Sequence, residues 1–412
     1  MLLKIELENF FSIKNKICID FRAGNINSAQ SRELQDNVIE WNHQKVLKTI
    51  GLFGPNASGK SNIIKAIHFC CRTILESHQY NEGGMFNFMP FKFDHFDSKP
   101  SSFFIDFVCE NIEYEYSFTL NRSQILTESL FYFPNNRRAK IFVRNEKNEY
   151  SFGSVTIPAV KDVIESTSNV NLFLSRANNM NREFAQKIYR YFLNTLMLGL
   201  IPLNDKLVED SFSKYKELIL KALAICDSDI SDVKLTHEKI KMPIPNIEEQ
   251  MKIAFKEAEI DSIKIETFHQ FNEKISFDIE TEESNGTKKL FAVLIRLIDV
   301  VKNQKSLMLD EFDASLHTRL ADFILDLIHA SSKAQFLFTS HNTNLIDVKR
   351  LRKDQIVFVN KNNEGATDVY SLYDYKDFRE NMDAQKGYLQ GRFDAVPYVD
   401  SSVQTLKNLL GE

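Results

Sequence analysis

The octapeptide GPNASGKS, Gly54 to Ser61, matches the pattern G-x-x-x-x-G-K-[ST] at each fixed position. Upstream, VLKTIGLF is a short apolar run ending at Phe53. Downstream, NIIKAIHFCCRTILESH places Ile63, Ile64, Ile67 and Leu75 at roughly helical spacing. Strand, glycine loop, helix is the order in which this pattern has a mechanism. The loop amides point at phosphate oxygens, the helix N-terminus adds favourable partial charge, the lysine reaches the β- and γ-phosphates and the hydroxyl ligates Mg2+. Gly54, Pro55, Asn56, Ala57, Ser58, Gly59, Lys60, Ser61 and Asn62 are therefore expected to hold ATP, with Ser61 also on the metal. The bland alternative is a glycine turn with a surface lysine.

Further along the chain, SLMLDEFDASLH carries an apolar run, Ser306 to Leu309, into Asp310 and Glu311. Acids often end strands merely to stay solvated. Paired with a phosphate loop they acquire roles: Asp310 in the Mg2+ shell, and Glu311 as the base that polarises an attacking water. A glutamate directly after the aspartate points to ATP hydrolysis. The next strand, QFLFTSHNTNLID, delivers Thr339, Ser340 and His341 to its carboxyl end, where ligands of open α/β sheets bind, so His341 is expected to sense the γ-phosphate. Before the acids, EESNGTKKLFAVLIRL places Ser284 and Gly286 at the start of an apolar-faced helix. That is either an anion site or an ordinary capped helix.

Composition bounds the rest. A chain of 412 residues predicts two to three cores, or one large core with an insertion. Hydrophobic residues make up 43% and charged residues 26%, which excludes disordered and low-complexity classes. Lys and Arg total 51 against 56 Asp and Glu, a net charge of −5 that argues against phosphate backbones as the main target. Lys4, Glu6 and Glu8 occupy the place where a signal peptide needs an apolar run, and no run of about 18 apolar residues follows, so a cytoplasmic location without membrane partners is expected. The cysteines Cys18, Cys70, Cys71, Cys109 and Cys226 form no CxxC and read as reduced thiols. From about 80 to 157, Phe-rich alternating segments predict an antiparallel sheet. Residues 158–262 read as mainly helical, with breaks at Pro202, Pro243 and Pro245.

The fold class expected is α/β: a P-loop NTPase head, resembling that of ATP-binding-cassette ATPases, with an inserted antiparallel-β and helical lobe. Residues 1–84 and 276–412 would form the head and 85–275 the lobe.

The four elements in this order resemble the ATP-binding-cassette ATPases, specifically their SMC-like and OLD-like branch, and the opening LLKIELENFFSIKN is similar to that branch's first strands. The closer resemblance is to bacterial AAA-type ATP-binding proteins of the abortive-infection kind, AbiL-like and RloA-like, and to the ATPase subunit of the PARIS anti-phage system. It rests on ESNGTKKLF, DEFDASLH, TSHNTNLID and the tail GYLQGRFDAVPYVD. Those relatives usually carry Gly where this chain has Asp394, and the signature reads SNG rather than SGGQ. A glutamine linking the site to a partner lobe has Gln79 as its nearby candidate, with MPFKFD, Met89 to Asp94, as the other occupant of that region.

The resemblance implies a Mg2+-dependent ATPase whose heads form a homodimer or higher homo-oligomer around two ATPs. Ser284 and Gly286 would touch the γ-phosphate held by the second subunit. It also implies a sensor or scaffold ATPase whose effector, a nuclease or toxin, is a separate protein, because the stretch after His341 is short for the Toprim-type nuclease of OLD relatives. The alternative is an SMC-like repair or chromosome ATPase that binds DNA, with Arg137, Arg138, Lys140, Arg176, Arg182, Lys187 and Arg190 as a basic track. A non-hydrolysing scaffold and a transporter are more distant readings.

Overall fold

The computed structural model describes residues 1–154, 157–200, 203, 206–226, 228–245, 255–379, 381–396 and 402–410, with the backbone alone at 206–207, 240–245 and 255–261. The chain divides into two compact units. The first comprises Met1–Leu198, Lys305–Glu311 and Ser332–Glu412, and the second Gly199–Gln304 and Phe312–Ser331.

The first unit is built on a six-stranded sheet in the order Leu196–Leu198, Ser306–Leu309, Gln335–Ser340, Thr49–Phe53, Ile356–Lys361, Thr367–Ser371. The first five strands run parallel and the last returns antiparallel. Strands buried on both faces read as continuous apolar runs, as TIGLF and QFLF do, and all residues of Thr49–Phe53 and Gln335–Ser340 are buried. The phosphate-loop strand lies between the strand leading to His341 and the strand Ile356–Lys361, so segments far apart in sequence meet at one sheet end. The fold class is the expected α/β P-loop type.

A second, seven-stranded sheet joins the chain's first hairpin to the Phe-rich segments: Tyr150–Phe152, Ala139–Arg144, Ile125–Tyr132, Ile112–Leu120, Ser101–Cys109, Leu2–Glu8, Ile17–Asp20. Strict alternation in IEYEYSFTL turns Tyr114, Tyr116, Phe118 and Leu120 inward. They share one core with Ile63, Ile67 and Ile74 of the helix Lys60–Glu76 and with Phe173 and Phe192. The fully buried Gln335 ties the two sheets together: its Oε1 accepts from Leu2 N at 2.6 Å and its Nε2 donates to Leu2 O at 2.9 Å and Leu47 O at 3.2 Å. The segment 85–275, expected as one lobe, is thus shared between the units. Ser101–Cys109 pairs with Leu2–Glu8 along its length, which puts residues up to Leu198 with the phosphate loop.

The second unit packs the helices Lys206–Ile225, Asn285–Lys302 and Thr318–Ala330 with a three-stranded antiparallel sheet, Ile230–Pro245, Phe255–His269 and Asn272–Asp278. Phe212, Ile219, Leu223, Val233, Ile265, Phe291 and Leu294 form its core. The helical expectation holds through Ile225 and fails beyond it. Val233 and Leu235 turn inward while Lys234 and Thr236 are exposed, a period of two rather than 3.6. Pro243 and Pro245 lie at that strand's end, and Pro202 lies outside the described residues.

The tail stacks Tyr388 and Phe393 on Phe358, with ring centroids 5.6 and 5.0 Å apart. Asp394 sits at φ 53°, the left-handed region that glycine adopts most readily. The last residues of the motif, Pro397 to Asp400, lie outside the described residues. The five cysteines are unbridged, and among the described residues no helix is long and apolar enough to cross a membrane.

Candidate functional site

Sterics fix the phosphate loop before any ligand is considered. A Cβ on Gly54 would lie 2.0 Å from Val359 O, and one on Gly59, at φ 112°, would lie 2.0 Å from Thr367 Oγ1. Only glycine fits either place. Ala57, at φ 62°, takes the left-handed region at a cost of roughly 1 kcal/mol, and Gly59 caps the helix that starts at Lys60.

Lys60 is only 4% exposed, and its Nζ donates to Gly54 O at 2.7 Å and Pro55 O at 2.9 Å. Burial lowers its pKa to about 8, against the opposing pull of Asp310 and Glu311. Ser58 Oγ is buried with no hydrogen-bond partner among the described residues. A cation held over curled amides at a helix N-terminus, beside an unpaired hydroxyl, is a donor set that suits phosphate oxygens.

A chain of hydroxyls braces the loop from behind. Asn62 Nδ2 donates to Ser12 Oγ at 2.7 Å, Ser12 Oγ lies 2.7 Å from Thr367 Oγ1, and Thr367 Oγ1 donates to Ser58 O at 3.0 Å.

The acids arrive on the strand Ser306–Leu309, whose four residues are all buried. Thr339 Oγ1 donates to Asp310 Oδ1 at 2.6 Å and accepts from Glu311 N at 2.8 Å. Glu311 itself stands at φ 46°. His341 Nε2 lies 3.7 Å from Glu311 Oε1, and both side chains are about half exposed. Asn56 to Asn62, Glu311, His341 and Lys361 line one cavity of about 410 Å³, within the range of small-ligand sites. The loop, the second acid and the histidine expected from sequence therefore meet. Asp310 is joined to Glu311 through Thr339, and the Ser61 hydroxyl and Asp310 carboxylate are oxygen groups of the kind that could hold Mg2+.

Three contributors carry no role in the sequence reading: Thr339, Lys361 and the Ser12–Thr367 pair. Thr339 had a signal, since the apolar run QFLF delivers it to the carboxyl end of its strand, two residues before His341. Lys361 and Thr367 had none, because only the register of their hairpin, Lys361 opposite Thr367, brings them to the loop.

Gln79 does not reach the site. It ends the turn Ser77–Gln79 at the far end of the helix Lys60–Glu76, roughly 25 Å from the loop at 1.5 Å per residue. MPFKFD instead packs on the first hairpin: Phe11 N donates to Met89 O at 2.7 Å and Lys14 pairs with Asp94 at 2.6 Å.

Ser284 and Gly286 belong to the second unit. Ser284 caps the helix Asn285–Lys302, its Oγ accepting from Thr287 N at 3.1 Å, and a Cβ on Gly286 would lie 3.2 Å from Ser315 O. The preceding Glu283 accepts from Thr267 Oγ1 at 2.5 Å, and its Oε1 is 2.9 Å from His269 Nε2. Three of the seven residues of the proposed basic track are paired with acids: Arg138 with Glu115, Arg182 with Asp162 and Lys187 with Glu110.

The profile of the family described as "AAA domain, putative AbiEii toxin, Type IV TA system" matches residues 50–347. Among solved structures, the chain is similar to a crystal structure of the Smc head bound to the C-winged helix domain of ScpA, at 19% identity and TM-score 0.45 over 90% of this chain and 97% of that one. It is similar to the SMC head domain from Thermotoga maritima at 16% identity and TM-score 0.37, covering 90% and 98%. It is also similar to the Smc head with an extended coiled coil bound to the C-terminal domain of ScpA, derived from Pyrococcus furiosus, at 17% identity and TM-score 0.41, covering 90% and 96%. No curated protein matches the chain in sequence.

Proposed function

The chain belongs to the AAA-domain family whose profile matches residues 50–347, and from that premise we propose a Mg2+-dependent ATPase whose ATP-bound heads pair, serving as the sensing and scaffolding subunit of a bacterial anti-phage, abortive-infection system with a separate effector. One observation supports the catalytic part above the others. Glu311 and His341, from two different strands, line the same cavity as the loop Asn56 to Asn62.

In this reading the loop amides and Lys60 bind the β- and γ-phosphates. Ser61 and Asp310 would hold Mg2+, which neutralises phosphate charge. Glu311 takes a proton from water as the water oxygen bonds to the γ-phosphorus and the bond to the β,γ-bridging oxygen breaks, releasing ADP and phosphate. His341 donates to a γ-phosphate oxygen. Ser284 and Gly286 of a second chain complete the site, which makes association part of turnover. The defence role is supported by the family's description, which reads "putative AbiEii toxin, Type IV TA system", and by the resemblance of DEFDASLH, TSHNTNLID and the tail.

ATPase rate against protein concentration, with mass in solution recorded, tests the reading. The specific rate is expected to rise with concentration and to fall at least about a hundredfold in Lys60→Ala and Glu311→Gln. A concentration-independent rate in a monomer overturns the trans role of Ser284 and Gly286, and an active Glu311→Gln overturns the base. The DNA-clamping alternative predicts duplex binding with a steep salt dependence. The pairing of Arg138, Arg182 and Lys187 with acids weighs against it.

A further inference from the structure

We infer that Thr339 is a positioning residue for hydrolysis, setting the carboxylate of Asp310 and the backbone of Glu311 through one hydroxyl. The inference rests on the catalytic reading above.

The strands Ser306–Leu309 and Gln335–Ser340 run parallel, with Met308 opposite Leu337 and Leu309 opposite Phe338, so the next rung brings Asp310 beside Thr339. Thr339 is fully buried in a strand buried along its whole length and cannot move independently of the sheet. Its hydroxyl has a single proton. With Asp310 Oδ1 at 2.6 Å accepting that proton, the oxygen is left to accept from Glu311 N at 2.8 Å. The first bond is charge-assisted and directs one carboxylate oxygen toward the sheet, leaving the other to face a cation. The second bond ties down the amide of a residue at φ 46°, a conformation that non-glycine residues leave unless something holds them. Glu311's place in the cavity therefore depends on a partner from the neighbouring strand. That strand ends at Ser340, directly before His341. One buried hydroxyl thus orients the metal-binding acid and fixes the turn that presents the base.

Thr339→Val keeps the β-branched shape and removes both hydrogen bonds. Expected is a kcat about 10- to 100-fold lower, since sub-ångström misplacement of catalytic groups has effects of that order. ATP affinity should change less than about threefold, because Lys60 and the loop are untouched. Mn2+ titrated into the ATP-loaded variant, read by electron paramagnetic resonance, should bind several-fold more weakly. Thr339→Ser restores the hydroxyl and is expected within about threefold of the parent in both readouts, a rescue that loss of packing alone does not produce.

A Val variant with parental kcat and Mn2+ affinity overturns the inference, as does a Ser variant as impaired as Val. Thr339→Ala is carried in parallel, so that a folding failure of one substitution leaves the other to decide. Glu311→Gln separates the two levels. If it stays active, the catalytic reading fails. If it is inactive while Thr339→Val is normal, only the role of Thr339 fails.

Discussion

Lys60 illustrates how a binding residue stores unfavourable free energy until its ligand arrives. The motif predicts a lysine on phosphate but not its burial, which holds the ammonium at 4% exposure between two carbonyl oxygens and lowers its pKa to about 8. Phosphate favours the charged form, so binding above that pH draws in a proton. ATP affinity is therefore expected to be flat below pH 8 and to weaken by up to about tenfold per pH unit above it. Equilibrium titration of ATP at pH 7 to 9.5 checks this, and Lys60→Gln should bind weakly with no such slope. An unchanged affinity to pH 9.5 in the parent protein would sink the assignment. The linkage to folding has the opposite sense from that of a salt-bridged lysine. The folded pKa lies below the unfolded value of 10.5, so the unliganded protein gains stability from this group as pH rises from about 8 to 10.5.

At the scale of elements, sequence legibility followed periodicity. The phosphate-loop helix and the alternating Phe-rich sheet were readable because each repeats with one clear period, and the strands leading to Gly54, Asp310 and His341 because each is a short continuous apolar run beside a motif. The strands Ile230–Pro245 and Phe255–His269 were not. Their mixture of Lys, Glu and Ile fits either period, and a long-range pairing decides it. The apolar run QIVFVN reads as a strand, but the bracing role of the hairpin Ile356–Lys361/Thr367–Ser371 was hidden for a similar reason, since it lies in register.

The start of the helix Asn285–Lys302 was read as either a cap or an anion site, and the Ser284 hydroxyl makes the cap. The two roles are separable. Ser284→Ala removes the cap and should cost about 1 kcal/mol in chemical denaturation. Ser284→Asp keeps it, with stability within a few tenths of a kcal/mol of the parent, yet sets a negative charge where the proposed trans contact needs a donor. ATPase activity is expected to fall in the first variant, which loses the hydroxyl donor, and to collapse in the second, which adds a repelling charge. Equal activity in both would leave Ser284 with the cap alone.

For the whole molecule, the proposed pairing would set Ser284 and Gly286 of one chain against nucleotide held by another. Asn56 to Asn62, Glu311 and His341 belong to the first unit, while Ser284 and Gly286 belong to the second. Nucleotide alone can protect only what it touches in its own chain, whereas a paired head adds protection at the signature loop of its partner by mass action. Hydrogen exchange of Glu311→Gln with ATP and Mg2+ separates the two. At high protein concentration, slowed exchange is expected both in peptides spanning 54–62 and in those spanning 283–290. On dilution below the association constant's midpoint, the 283–290 protection should vanish while that at 54–62 persists, because the first depends on a second chain and the other does not. Lys60→Ala should show neither. Protection at 283–290 that ignores concentration would mean the loop responds to nucleotide within one chain. Its absence at every concentration, with 54–62 protected, would mean that ATP occupies the head without drawing two heads together, and the completing group would then have to come from a different protein.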